Sequence, residues 1–165
     1  MKLLVMSDTH SATKIMEQVI ERHQGEVDTI IHCGDSELNA NYFTNNPVHI
    51  VRGNCDIDDR FPLEELFSVE DAKVLVVHGH KYNVKSTLIP LFYRAQEVQA
   101  SVVCFGHSHL LGAEIQQGIL FINPGSLQQP RGRTEKSYSI VERNEEIWTV
   151  LFYSDEHKLL EKVIL

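Results

Sequence analysis

Six of the nine histidines, His10, His32, His78, His80, His107 and His109, stand at or just after the end of a short apolar run. The runs are Leu3 to Met6, Asp28 to His32, Val48 to Val51, Val74 to Val77 and Val102 to Phe105. Short apolar runs bounded by Gly, Asn and Asp read as buried strands. In open α/β sheets the carboxyl ends of strands converge on one edge, where ligands bind. A chain that places its polar chemistry at so many strand ends is therefore constrained to a fold in which those ends meet. Asp8-Thr9-His10 follows the first run, Gly34-Asp35 the second, Gly53-Asn54 the third, His78-Gly79-His80 the fourth and Gly106-His107-Ser108-His109 the fifth.

Helical spacing appears twice between these runs. Ile15, Met16, Val19 and Ile20 share one helical face, with Ser11 or Thr13 as the expected cap. Leu88, Leu91, Phe92 and Ala95 repeat at i, i+3, i+4 and i+7, and Pro90 is tolerable because it falls in the first turn. With a polar, Asn-rich segment from Asn39 to Asn46, the first half predicts a parallel, doubly wound beginning. Leu66 to Val69 and Val74 to Val77 flank Glu70-Asp71-Ala72, which predicts a hairpin added to that sheet. The segments Ala113 to Gln116, Leu120 to Ile122, Ser137 to Val141, Ile147 to Tyr153 and Lys158 to Ile164 predict an antiparallel meander. No repeat, low-complexity stretch or linker divides residues 1–165, so one domain is expected.

A chain of 165 residues buries roughly 70% of its unfolded surface, enough for a core without staples. The formal charge of −8 argues against non-specific binding to nucleic acid or anionic membranes. Cys33, Cys55 and Cys104 form no CxxC pair and are odd in number, which predicts free thiols in a reducing, cytoplasmic compartment. The apolar stretch Leu3 to Met6 is too short for a signal-peptide core, and no run approaches the roughly 18 residues that span a bilayer.

Taken singly, each strand-end motif reads as an ordinary turn: Gly and Asn tolerate φ > 0, and histidine often serves as a satisfied core residue. Five such segments together are hard to explain by turns alone. Carboxylate, amide oxygen and imidazole without an obligatory thiolate suit manganese, iron, nickel, cobalt or zinc. Asp8, His10, Asp35, Asn54, His78, His107 and His109 make seven ligands, too many for one ion. They suit two ions about 3.5 to 4 Å apart with Asp35 between them.

The order DxH, GD, GN, HxH, GHxH, followed by Asn123-Pro124-Gly125-Ser126, resembles the calcineurin-like metallophosphoesterase superfamily from Lys2 to about Arg133. Gly53-Asn54-Cys55-Asp56 and the short chain look like its small bacterial and archaeal phosphodiesterase branch. The resemblance implies an α/β fold, a four-layer αββα sandwich with two mixed β-sheets and a dinuclear site at their edge. Carried over, it assigns Asp8, His10, Asp35 and His109 to one metal, and Asp35, Asn54, His78 and His107 to the other. It also implies a hydroxide bridging two divalent ions, manganese by first choice, that attacks phosphorus in line while the ions clamp the non-bridging oxygens.

The chain departs from the wider pattern at Cys55, where larger members commonly have a histidine that pairs with the next acidic residue and protonates the leaving group. Asp56 is kept, but that partner is gone. The departure favours diesters and activated esters over poor leaving groups. Asp35, Asn54 and His80 are the catalytic candidates, and Arg52, His80 and Arg131 the substrate-binding ones, since arginines can grip phosphate in bidentate fashion. His32 is expected to pack behind the Gly34-Asp35 turn. The expected partner is a small phosphoester, with no nucleic acid and no membrane, and exposed aromatics near Phe92 leave a homo-oligomer open. The alternatives are a phosphomonoesterase and a non-catalytic metal-binding scaffold of the same fold, for which the retromer subunit is the precedent in the superfamily.

Overall fold

The computed structural model describes residues 1–44 and 47–165. Asn45 and Asn46 of the Asn-rich segment lie outside the described residues. Apolar runs without alternation demand cover on both faces, and the strands obtain it. In β1 (Lys2–Met6), Leu3 and Val5 face a core between two sheets, while Leu4 and Met6 face α1 (Thr13–His23). In β5 (Ala72–Val77), Val74 and Val76 face the same central core, while Leu75 and Val77 join the cluster around Leu91 and Ala95 of α2 (Ile89–Glu97). The layers are therefore α1, a first sheet, a second sheet and α2, which is the αββα sandwich.

The first sheet runs β11 (Leu159–Ile164), β10 (Ile147–Ser154), β9 (Ser137–Asn144), β1, β2 (Thr29–His32), β3 (Val48–Ile50). The second runs β4 (Glu64–Val69), β5, β6 (Val102–Cys104), β8 (Ile119–Asn123), β7 (Gly112–Gln116). Both are mixed: β1, β2 and β3 are parallel, as are β5, β6 and β8, and the outer strands join antiparallel.

Three local expectations are corrected. The hairpin of β4 and β5 opens the second sheet instead of extending the first. The C-terminal strands do not form one meander. β7 and β8 complete the second sheet, with β8 parallel to β6, whereas β9, β10 and β11 fold back onto the free edge of β1. Apolar patterning specifies which faces of a strand are covered, not which edge it joins. Neither Ser11 nor Thr13 caps α1: the N-cap is Ala12 without a side-chain bond. Ser11 is held in the left-handed region with φ 63°, its backbone N–H donated to the Ser36 carbonyl, so docking of two loops fixes the helix entry. Pro90 sits in the first turn of α2 as expected.

Candidate metal centre

The parallel strands β1, β2 and β3 of one sheet and β5 and β6 of the other end on the same edge of the sandwich. The loops that follow them are knitted together through their backbones. Asp8 N–H donates to the Gly34 carbonyl and His10 N–H to that of Asp35, both at 3.0 Å, and Gly106 N–H donates to the His78 carbonyl at 3.1 Å. Asp8 bridges the two sheets, because its Oδ2 accepts from His107 N–H at 3.1 Å and from the Ser7 hydroxyl at 2.6 Å. Ser126, on the loop after β8, donates to the Asp8 carbonyl at 2.7 Å.

Asp8, His10, Asp35, His107 and His109 all adopt left-handed φ, between 41° and 66°. Non-glycine residues held there cost on the order of 1–3 kcal/mol each, and such strain concentrates at functional sites. Glycines admit the close approaches: a β-carbon at Gly53 would collide with the carboxylate and backbone nitrogen of Asp35, and one at Gly106 with the side chains of Ser7 and Asp8.

Three imidazoles have their Nδ1 committed. His78 Nδ1 lies 2.7 Å from the Cys33 carbonyl, His109 Nδ1 2.6 Å from that of Gln129 and His10 Nδ1 2.6 Å from Oε1 of Glu37. Since carbonyls and carboxylates only accept, each Nδ1 carries its proton as donor and each Nε2 faces the site, the usual arrangement behind a histidine ligand. His78 Nε2 lies 3.3 Å from Oδ2 of Asp35 and 3.1 Å from Oδ1 of Asn54, and His109 Nε2 lies 3.0 Å from Oδ1 of Asp8. Asp8 Oδ1 and His10 Nε2 are buried and hydrogen-bonded to nothing among the described residues. Buried polar atoms of native proteins are rarely left so.

Asp8, His10 and His109 offer ligand atoms within 4.8 Å of one another, as do Asp8, Asp35 and His78, and His10, Asp35 and Cys55. Asp8, His10 and Asp35 each belong to two of these groups. Oxygen and nitrogen donors with orphaned lone pairs converging on one space fit a divalent ion.

The charge balance points the same way. Burial alone would raise both carboxylates, but His109 and His78 hold Asp8 below the ordinary carboxylate range, and His78 with the Cys55 N–H holds Asp35 well below it. Burial alone would lower His78 and His109, yet Asp35 and Asp8 raise the first and Asp8 the second. His107 is pushed down to about 4 by burial, His78 and Lys85. Burial and then His78 lower His80.

The structure thus brings Asp8, His10, Asp35, His78 and His109 into tight groups, with Asn54 reaching them through His78. His107 falls outside those groups; its ring lies 5.0 Å from that of His78 and 6.1 Å from that of His80. His80 sits 5.4 Å from His78 with its buried Nδ1 unpartnered. Arg52 is half-buried and Arg131 exposed. His32 packs as expected behind the loop, accepting from Gly34 N–H at 3.1 Å.

Asp56 is not a carboxylate that has lost its partner. Its Oδ2 accepts from the N–H groups of Asp35 and Gly53, and its Oδ1 from Glu37 N–H and the Ser36 hydroxyl, at 2.7 to 3.1 Å. It staples the loop after β2 to the loop after β3. This role, and that of Glu37 behind His10, was not visible in the sequence, because Asp56 reaches Asp35, Ser36 and Glu37 across 19 to 21 residues and Glu37 reaches His10 across 27.

Fold and site together define a two-sheet α/β protein with a histidine–carboxylate cluster, a candidate metal centre, on the shared sheet edge. A calcineurin-like phosphoesterase superfamily domain matches residues 1–146, and the chain belongs to that superfamily as a hydrolase of phosphoesters. It is 42% identical over 161 residues to the probable metallophosphoesterase YsnB of Bacillus subtilis, covering 98% of this chain and 95% of that one. It is 32% identical over 144 residues to phosphodiesterase MJ0936 of Methanocaldococcus jannaschii, covering 76% and 83%. Among solved structures, a predicted phosphoesterase from Streptococcus pneumoniae superposes with a TM-score of 0.94 at 33% identity, covering 99% of this chain and 96% of that one. No helix among the described residues is long and apolar enough to cross a membrane.

Proposed function

We infer that the chain hydrolyses a small phosphodiester at two divalent ions. Asp8, His10, Asp35 and His109 hold one, and Asp35, Asn54, His78 and His107 the other. The observation that carries this reading is the pair of buried, unpartnered ligand atoms, Asp8 Oδ1 and His10 Nε2, in a site where His10, His78 and His109 each present Nε2. Bound divalent ions supply Lewis-acid polarisation of the phosphoryl oxygens and a water acidic enough to attack at neutral pH. The protein's own part is positional: Asp56 fixes the Asp35 and Gly53 loops, the Cys33 and Gln129 carbonyls orient His78 and His109, and Asp8 ties the two sheets together.

Manganese is the first expectation, and nickel, iron, cobalt or zinc suit the same oxygen and imidazole donors. Without an imidazole after Asn54, esters whose leaving groups depart unassisted are favoured. General-acid help is worth typically 10²- to 10⁴-fold, and activated leaving groups need little of it. His80, at the rim, and the guanidinium groups of Arg52 and Arg131 are the groups assigned to contact substrate. The name of the archaeal relative, a phosphodiesterase, supports the same class. A scaffold without turnover would gain nothing from five strained ligand residues, which favours the enzyme.

The test is metal analysis of freshly purified protein together with hydrolysis of bis(p-nitrophenyl) phosphate and p-nitrophenyl phosphate, before and after chelation. Copurified or added divalent metal should be required, and the diester preferred. Hydrolysis that survives in chelated, metal-free protein would contradict the reading.

A further inference from the structure

Asn123-Pro124-Gly125-Ser126 supplies none of the seven ligands, yet its last residue reaches two of them through the backbone. Ser126 is fully buried. A hydroxyl has one proton to give and two lone pairs to fill, and every one of these places at Ser126 is taken by a backbone group. Its proton goes to the Asp8 carbonyl at 2.7 Å, and its Oγ accepts from the N–H groups of Gln128 at 3.1 Å and Gln129 at 2.8 Å. The Gln129 carbonyl in turn takes the Nδ1 proton of His109 at 2.6 Å. One hydroxyl therefore grips the backbone of Asp8, which follows β1 of the first sheet, and the residue that orients His109, which follows β6 of the second. The far ends of these two connections meet, because His109 Nε2 lies 3.0 Å from Oδ1 of Asp8.

The serine loop is itself fixed. Ser137, at the start of β9, donates its N–H to the Ser126 carbonyl at 2.9 Å and its hydroxyl to the Pro124 carbonyl at 2.8 Å. Gly125, with φ +81°, passes so close to that hydroxyl that a β-carbon would overlap it. Beyond Gln129 the chain returns to its ligand, with Arg131 N–H donated to the His109 carbonyl at 3.1 Å. Asp8 and His109 both sit in the left-handed region, with φ 53° and 60°, a conformation that persists only where the surroundings over-determine it. We propose that Ser126 is a positioning residue of the metal centre: its hydroxyl sets the separation of the Asp8 and His109 donors, and with it the affinity of the ion assigned to that pair. This rests on the two-ion reading above and adds to it a residue outside the ligand set. A serine that only stapled the sandwich would leave both ions as they are. Ser137 is such a serine, equally buried and bonded within the same loop, with its hydroxyl joined to neither Asp8 nor Gln129.

The experiment is calorimetric titration of the metal-stripped protein with manganese, comparing the wild type with Ser126→Ala, Ser137→Ala and His109→Ala. Removing a partner that orients a metal ligand costs typically about 10- to 100-fold in affinity. Ser126→Ala should lose that much at one ion, the same ion that His109→Ala loses, while the other keeps its affinity. Ser137→Ala should keep both. Ser126→Cys retains the shape of the side chain with a much weaker hydrogen-bonding group, and gives the same selective loss, smaller in size, should the alanine variant fold poorly. Unchanged affinities in a folded Ser126 variant, equal losses at both ions, or a loss in Ser137→Ala as large as that in Ser126→Ala would overturn the assignment. Failure of the wild type to take up manganese would instead strike the metal-centre reading, and this assignment with it.

Discussion

A β-carbon placed at Gly53 would occupy the space of the Asp35 carboxylate. Gly53→Ala should therefore displace that carboxylate and, with it, ligands on both sides of the centre. Misplacing a catalytic group by about 1 Å costs on the order of 10²-fold, so kcat/KM for a diaryl diester should fall at least that far with the fold intact. Gly25→Ala is the control, since a β-carbon there meets open space, and even with the backbone strain of φ +83° it should leave turnover unchanged. Asp56→Asn tests the staple. Each Asp56 oxygen accepts two hydrogen bonds, so an amide NH₂ in either place meets donors it cannot serve. The expected loss is about 1–3 kcal/mol in urea denaturation, with weaker metal binding by calorimetry. Unchanged metal affinity would show that the loops hold their geometry without Asp56.

Elements differ in how far the sequence discloses them. The apolar runs within β1, β5 and β6, Leu3 to Met6, Val74 to Val77 and Val102 to Cys104, were legible because both their faces are covered, and the ligand motifs were legible because they sit where those runs stop. The partner of β9 was not, since Ser137, Ser139 and Tyr138 do not say that the strand lies beside β1. Nor was the anchor of α1. At its C-terminal end, His23 Nε2 lies 3.0 Å from the Tyr138 hydroxyl, which lies 2.7 Å from Nδ1 of His157, and His157 stacks on Tyr153. Burial and then the facing His157 lower His23, while burial and then Arg22 lower His157; Glu26 is the one carboxylate opposing these shifts. Both imidazoles are therefore favoured neutral in the fold. Their contribution is fully present above the ordinary histidine value of about 6.5 and is lost as pH falls through the lowered folded values. Denaturation midpoints of chelated protein should drop between pH 7.5 and pH 5, and His157→Gln should remove part of the drop. An identical pH profile in the variant would place the acid sensitivity elsewhere.

For the molecule as a whole, the proposed metal centre would also be a cross-link. Asp8, His10, Asp35 and Asn54 follow strands of the first sheet, whereas His78, His107 and His109 follow strands of the second. Both sheets meet through the central apolar core, and among the side-chain bonds at the site edge Asp8 to His107 N–H is one that spans them. Ions held from both sides, as proposed, would bind the native state and not the separated loops of the unfolded chain, and so would stabilise the whole sandwich by mass action. At a free metal concentration of 100 times Kd the gain is about 2.7 kcal/mol per site. For a chain of this length that corresponds to a rise of roughly 5–10 °C in Tm. Thermal scans with excess manganese and with chelator should differ by at least that amount. Asp35→Asn, which alters a ligand assigned to both ions, should lose most of the difference while its chelated form unfolds close to the chelated wild type. A full metal-dependent shift in Asp35→Asn would mean that the ions are held without that carboxylate, and that the two sheets are joined through some other set of ligands.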